Sequence, residues 1–167
     1  MTFISIENLT THYNTSKGSV HALEDVSFSL EKGESIGIAG ESACGKSTLG
    51  LSLIRMVSNG KIVSGKIIFD GTSFLEISDS EFNKKHRWKD ITMVFQGAMN
   101  SLDPVFTIKE QFGEILKEHS FNGDFEKTIL NSLQSVNLEK NILKKYPHEL
   151  SGGMKQRVII AMALLLK

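Results

Sequence analysis

The segment Gly40-Glu-Ser-Ala-Cys-Gly45-Lys46-Ser47 constrains the fold of this chain more than any other stretch, because of what stands on either side of it. Before it runs Ser35-Ile-Gly-Ile-Ala39, small and apolar, as expected of a short strand covered on both faces. After it, Leu49, Leu53, Ile54 and Val57 recur at helical spacing until Ser58-Asn-Gly60 supplies a stop. Glycines let the backbone fold tightly, so that successive N–H groups converge in front of a helix N-terminus, where the helix adds partial positive charge. The sequence therefore predicts a phosphate loop made of Gly40, Glu41, Ser42, Ala43, Cys44, Gly45, Lys46, Ser47 and Thr48. In such a loop Lys46 holds the β- and γ-phosphates, the Ser47 hydroxyl ligates Mg²⁺, and Thr48 reaches the α-phosphate side. Cys44 sits beside a lysine and a helix N-terminus, a setting that lowers a thiol pKa; it reads either as a small residue that fits the loop or as a redox-active thiol.

Elsewhere the pattern alternates between sheet and helix. Residues 3–30 alternate as half-buried antiparallel strands do, most clearly in Val26-Ser-Phe28-Ser-Leu30. Ser64 to Gly71 predicts a strand running into a turn, and Ile91-Thr-Met-Val-Phe95 another strand, ended by Gln96 and a loop through Asp103-Pro104. Ser78 with Glu81, and Thr107 with Glu110, are spaced as capping boxes, the first for a short polar helix through Arg87, the second for a helix carrying Ile108, Phe112, Ile115 and Leu116. Phe125, Ile129, Leu133 and Val136 fall on one side of a further helix.

Leu150-Ser151-Gly152-Gly153-Met-Lys-Gln156-Arg157 arises by chance with a probability on the order of 10⁻⁵, which removes coincidence as a rival reading. Physically it is a second helix N-terminus, capped by Ser151, with two glycines leaving backbone N–H groups open to an anion. Together with the phosphate loop it resembles the ATP-binding-cassette (ABC) family, in which this serine–glycine motif is the signature sequence. The resemblance implies an α/β fold: a P-loop NTPase core of the ABC ATPase type with an antiparallel β subdomain and a helical subdomain. It divides the chain into residues 1–104, the β subdomain and partial core ending in the family's glutamine loop; 105–149, the helical subdomain; and 150–167, the signature and its helix. The implied cofactors are ATP and Mg²⁺, and the implied assembly is a homo- or heterodimer with a second ABC ATPase subunit. There the signature residues Ser151, Gly152, Gly153 and Gln156 of one chain close over the γ-phosphate held by the other. Gln96 matches the glutamine that contacts Mg²⁺ and the attacking water and senses the membrane partner, and Tyr13 matches the aromatic that stacks on adenine. Lys46 and Gln96 are thus the implied catalytic residues, and Ser47 and Gln96 the implied metal contacts.

Two longer stretches, Gln96 to Pro104 and Tyr146 to Ala163, look like oligopeptide/dipeptide (peptide/nickel) importer ATPases, with Gly97 and Asp103 departing from the usual Asp and Asn. That implies transmembrane permease subunits, a solute-binding protein in the full system, and a peripheral place on the cytoplasmic face of the membrane. Equal counts of basic and acidic residues, 19 each, give no field for nucleic acid, against the alternative of a non-transport ABC ATPase acting on it. A single cysteine excludes a disulfide framework. The family's Mg²⁺-fixing acid, the Walker B residue, lies on a strand after the signature helix, and the chain ends at Lys167 before it. The remaining alternative is a non-catalytic fragment that binds nucleotide without turnover; in isolation it is expected to be poorly stable and to hydrolyse ATP negligibly. Asp70, after Ile67-Ile-Phe, imitates that acid but fits the outer antiparallel sheet better. His148 reads as a loop histidine with a structural contact, His12, His21, His86 and His119 as surface or edge residues without ligand-like spacing, and Lys84 to Arg87 as a solvated helix face.

Overall fold

The computed structural model describes residues 2–167, in two compact units divided between Phe82 and Asn83. In the first, β1 (Thr2–Thr15) and β2 (Gly18–Glu31) form a long antiparallel hairpin. With β3 (Gly60–Phe69) and β4 (Thr72–Ser73) they make a four-stranded sheet in the order β2-β1-β3-β4. The register slips between Ile6 and Leu9, where Asn8 takes a left-handed conformation (φ 48°). The extra residue turns both apolar side chains inward, so Ile6 and Leu9 are each buried.

Helix α1 (Lys46–Leu53) packs on this hairpin, held by a buried hydrogen bond of 3.0 Å between the hydroxyls of Thr11 and Ser52. It ends earlier than the apolar spacing predicts. Arg55 turns left-handed (φ 55°), and its guanidinium donates to the carbonyls of Phe74 (2.8 Å) and Ile77 (2.9 Å) while lying 5.1 Å from the Phe82 ring. Those bonds tie the end of α1 to the segment leading into α2 (Asp79–Lys85), where the Ser78 hydroxyl accepts from the Glu81 N–H at 3.1 Å, as its spacing anticipates. Only Lys84 and Lys85 of the basic run lie on that helix; His86 and Arg87 are half-buried in the turn beyond, His86 against Asp90 at 2.7 Å.

The second unit is helical: α3 (Ile108–Glu118), α4 (Phe125–Ser135) and α5 (Gly152–Ala163) surround a core that includes Phe112, Leu116, Ile129, Leu133, Ile142 and Val158. Both halves of the predicted capping box at α3 are formed, the Thr107 N–H donating to Glu110 at 2.7 Å and the Glu110 N–H to Thr107 at 3.3 Å. Removing such a cap costs about 1 kcal/mol, so α3 begins where the sequence says it must. No helix of the described residues is long and apolar enough to cross a membrane.

Two sequence expectations are corrected. Ser35–Ala39 is not a strand, and Ile91–Phe95 contributes only a single bridge, Arg87 to Ile91. A strand exists by virtue of a hydrogen-bonded neighbour, and neither segment enters a ladder among the described residues. Their apolar side chains stand correspondingly open, with Ile36, Ile38, Val94 and Phe95 all 42% to 48% exposed.

Candidate nucleotide-binding site

The loop Gly40 to Ser47 runs straight into α1, with Gly45 as its N-cap. Gly45 has φ 94°, and a Cβ there would lie 2.5 Å from the carbonyl oxygen of Ala22, so β2 and the loop can meet only at glycine. Ala43 is also left-handed, at φ 62°. The N-cap supplies no side-chain hydrogen bond and the first turn holds no acid. The positive end of the helix is therefore neither capped nor neutralised by a side chain.

Lys46 folds back across the loop: its ammonium donates to the carbonyls of Gly40 (2.7 Å) and Glu41 (2.5 Å) and to the Cys44 sulfur (3.3 Å). The two carbonyls are neutral and no carboxylate pairs with the ammonium, so its charge remains available to an anion. Glu41, Ser42, Ala43, Cys44 and Ser47 are exposed, whereas Thr48 is buried against the fold, its carbonyl accepting from Ser52 at 2.8 Å. A triphosphate and its cation fit this donor set: open amides, one unneutralised ammonium and one exposed hydroxyl at the helix start.

The hydrogen bond from Lys46 holds the Cys44 thiol below its ordinary pKa. The thiolate is the charged form, so a depressed pKa moves its population to lower pH. Iodoacetamide should consequently alkylate Cys44 at neutral pH faster than it alkylates free cysteine, with the rate–pH curve displaced to the acid side. A profile matching free cysteine would remove the lysine contact as its cause.

Tyr13 is half-buried on β1, paired with Val20 and Gly60, and a Cβ on Gly60 would meet its ring at 2.8 Å. Asp70 occupies the turn between β3 and β4, φ 44° and exposed, as its reading as part of the outer sheet anticipates.

In the second unit Gln96 is exposed, just ahead of Gly97 (φ 74°) and a 3-10 turn, Ala98–Ser101. Ser151 caps α5, its hydroxyl accepting from the Met154 N–H at 3.3 Å. Gly152, Gly153 and Gln156 are exposed beside it. The Ala98–Ser101 turn packs on α5, the Met99 sulfur lying 3.9 Å from where a Cβ of Gly152 would stand. His148 stacks on Tyr146 at 5.7 Å, a structural contact of the kind expected of it.

Sequence reasoning missed Gln111. Buried on α3, its amide accepts from the Asp103 N–H and donates to the carbonyls of Asp103 and Phe106, each at 3.0 Å. It pins the loop that follows Gln96. Its position one residue before Phe112 on the inner stripe of α3 was the available signal.

The profile of the ABC transporter family matches residues 23–167. The chain belongs to the ABC transporter family. Over 172 residues, all of this chain and 62% of the relative's length, it is 43% identical to the metal-staphylopine import system ATP-binding protein CntD of Staphylococcus aureus. It is 39% identical to the dipeptide transport ATP-binding protein DppD of Bacillus subtilis, over 97% of this chain and 50% of that protein. The chain thus spans between half and two thirds of these relatives. Among solved structures, the dimeric ATP-binding cassette MJ0796 in a post-hydrolysis state bound to ADP and Pi superposes with a TM-score of 0.80 at 29% identity, covering 98% of this chain and 69% of that one. The α/β ABC ATPase fold expected from the sequence is therefore the fold of this family member.

Proposed function

We propose that this chain is the nucleotide-binding part of an ABC importer's ATP-binding subunit, coupling ATP binding and hydrolysis to uptake of an oligopeptide or dipeptide. The single observation that carries this reading is the loop at α1, with its uncapped amides and an ammonium held by two neutral backbone carbonyls. Residues 1–104 supply the adenine and phosphate side, 105–149 the helical subdomain, and 150–167 the signature and its helix.

On this reading the amides from Gly40 to Thr48 and the Lys46 ammonium would bind the phosphates, Ser47 and Gln96 would hold Mg²⁺, Gln96 would orient the attacking water, and Tyr13 would stack on adenine. When bound there, Mg²⁺ would supply neutralisation of phosphate charge. Ser151, Gly152, Gly153 and Gln156 meet the nucleotide of a second ATPase subunit. Gly152 and Gly153 support this role, because a Cβ at Gly153 would meet nothing within 4 Å and one at Gly152 only Met99 at 3.9 Å. The fold itself does not require glycine there, although each glycine costs a helix about 1 kcal/mol relative to alanine.

A membrane partner also has a surface to meet. Beside Gln96 opens an apolar cleft of about 400 Å³ lined by Trp88, Phe95, Ala98, Leu102, Gln111 and Met162. We assign it to a permease subunit, which would place the protein peripherally at the cytoplasmic face of the membrane, with a solute-binding protein completing the system and no nucleic acid involved. Uptake of labelled di- and oligopeptides by cells deleted for the gene tests the whole reading. Uptake should fall to background, return with the wild-type gene, and not return with Lys46→Ala. Undiminished uptake in the deletion strain would overturn the proposed solute.

A further inference from the structure

The register of the β1–β2 hairpin assembles a cluster that linear spacing conceals. His12 pairs directly with His21 across the ladder, their rings stacked with centroids 3.9 Å apart and planes within 4°. Glu24 completes the group: its Oε1 lies 2.5 Å from His21 Nδ1 and 3.9 Å from His12 Nε2. One donor atom from each of the three residues lies within 4.8 Å of the others. Both are edge or part-exposed residues, as their sequence context implies, but their linear spacing conceals the cluster, since antiparallel pairing brings positions nine apart in sequence face to face.

We propose that His12, His21 and Glu24 bind one divalent transition-metal ion. The main observation is His12 Nε2, which is buried and has no hydrogen-bond partner. A buried polar atom left so is costly, and a metal bond to its lone pair would satisfy it. Two neutral imidazoles and one carboxylate form an N₂O donor set that favours Zn²⁺, Co²⁺, Ni²⁺ or Cu²⁺ over Mg²⁺ and Ca²⁺, which take oxygen ligands. Metal–ligand bonds of about 2.0–2.2 Å set donors roughly 3.3–3.6 Å apart, so Glu24 must swing away from His21 and toward His12, and the His21 ring must turn out of its stack to aim its lone pair at the ion. His21 and Glu24 have the freedom to do so, being 54% and 62% exposed, and their exposure leaves a coordination position for water.

The site lies on the strands that support the phosphate loop. Ala22, whose carbonyl Gly45 abuts, stands between His21 and Glu24, and Tyr13 follows His12. The ion would clamp the hairpin behind the loop, separate from the Mg²⁺ that Ser47 would hold on the proposed reading.

Metal titration of the untagged full chain, stripped with chelator and carrying Cys44→Ser to remove the exposed thiol, tests the assignment. Zn²⁺ should bind at one equivalent in competition with a chromophoric chelator, and a large excess of Mg²⁺ should not displace it. His21→Gln and His12→Gln should each weaken Zn²⁺ by at least about tenfold. Cu²⁺ bound to the same protein should show an electron paramagnetic resonance signal split by two imidazole nitrogens, a readout independent of whether His12→Gln folds. Unchanged Zn²⁺ affinity in the exposed-site variant His21→Gln, or a Cu²⁺ signal without imidazole nitrogen, would overturn the proposal.

Discussion

Lys46→Ala should weaken the affinity of the full chain for ATP–Mg²⁺ by at least about 100-fold. The ammonium already spans the loop, bonded to Gly40 and Glu41 carbonyls and the Cys44 sulfur. Neutral acceptors are poorer partners than phosphate oxygens, so the lysine gains when it exchanges them for a triphosphate. Hydrogen bonds to charged groups contribute about 1.5–3 kcal/mol each, and losing two removes roughly 3–6 kcal/mol, a factor of about 10² to 10⁴ in dissociation constant. Helix α1 itself should survive, since Leu49 remains buried, its N–H bonded to the Gly45 carbonyl at 2.9 Å, and Ser52 still bonds Thr11. Calorimetric titration with ATP–Mg²⁺ measures the loss, and circular dichroism separates it from unfolding. Lys46→Arg should not rescue binding fully, because a planar fork cannot replace a compact ammonium inside a narrow loop. Equal affinity in wild type and Lys46→Ala would refute the assignment of the phosphate loop.

What the sequence disclosed and what it hid divide along a physical line. Features set by residues three or four apart were legible: the Thr107–Glu110 box, the Ser151 cap, the stripe of Ile129 and Leu133, and the strand–turn alternation of β1 and β2. Each depends on the chain a turn away, so local chemistry decides it. Features that depend on a distant neighbour were not. Ser35–Ala39 and Ile91–Phe95 have the composition of buried strands, but composition does not supply a ladder partner. Helix α1 stops at Leu53 although Ile54 and Val57 continue its stripe, because Arg55 is recruited by carbonyls some twenty residues on. The same reasoning covers His12 and His21, which meet only through register, with shifts between Leu9 and His12 that no periodicity announces. At the candidate site, the phosphate loop and signature could be read because both are contiguous, whereas Gln111 acts across a fold-back and Tyr13 was assigned by resemblance alone.

The second large effect concerns Ser151→Arg, which should spare nucleotide binding and stop turnover. Within the chain this substitution is mild. The lost bond to the Met154 N–H costs about 1 kcal/mol, and a cation beside the positive helix end adds about 0.3–1 kcal/mol. The phosphate loop belongs to a different compact unit, so ATP affinity should stay within about twofold of wild type. Outside the chain the substitution is severe. Gly152 and Gly153 are exposed, and a Cβ on either would meet nothing nearer than the Met99 sulfur at 3.9 Å, which suits close approach by something the chain does not contain. On the proposed reading that visitor is nucleotide held by a second subunit, and a guanidinium on a three-carbon stem would occupy the space it needs. ATP hydrolysis by the whole subunit should therefore fall at least about 100-fold, and its ATP-dependent dimer should disappear from analytical ultracentrifugation. Ser151→Ala isolates the cap from the bulk: it loses the same hydrogen bond but adds nothing outward, so it should retain most of the activity. If alanine proves as damaging as arginine, Ser151 matters through its hold on α5, and the open face of Gly152 and Gly153 is not where a second molecule arrives.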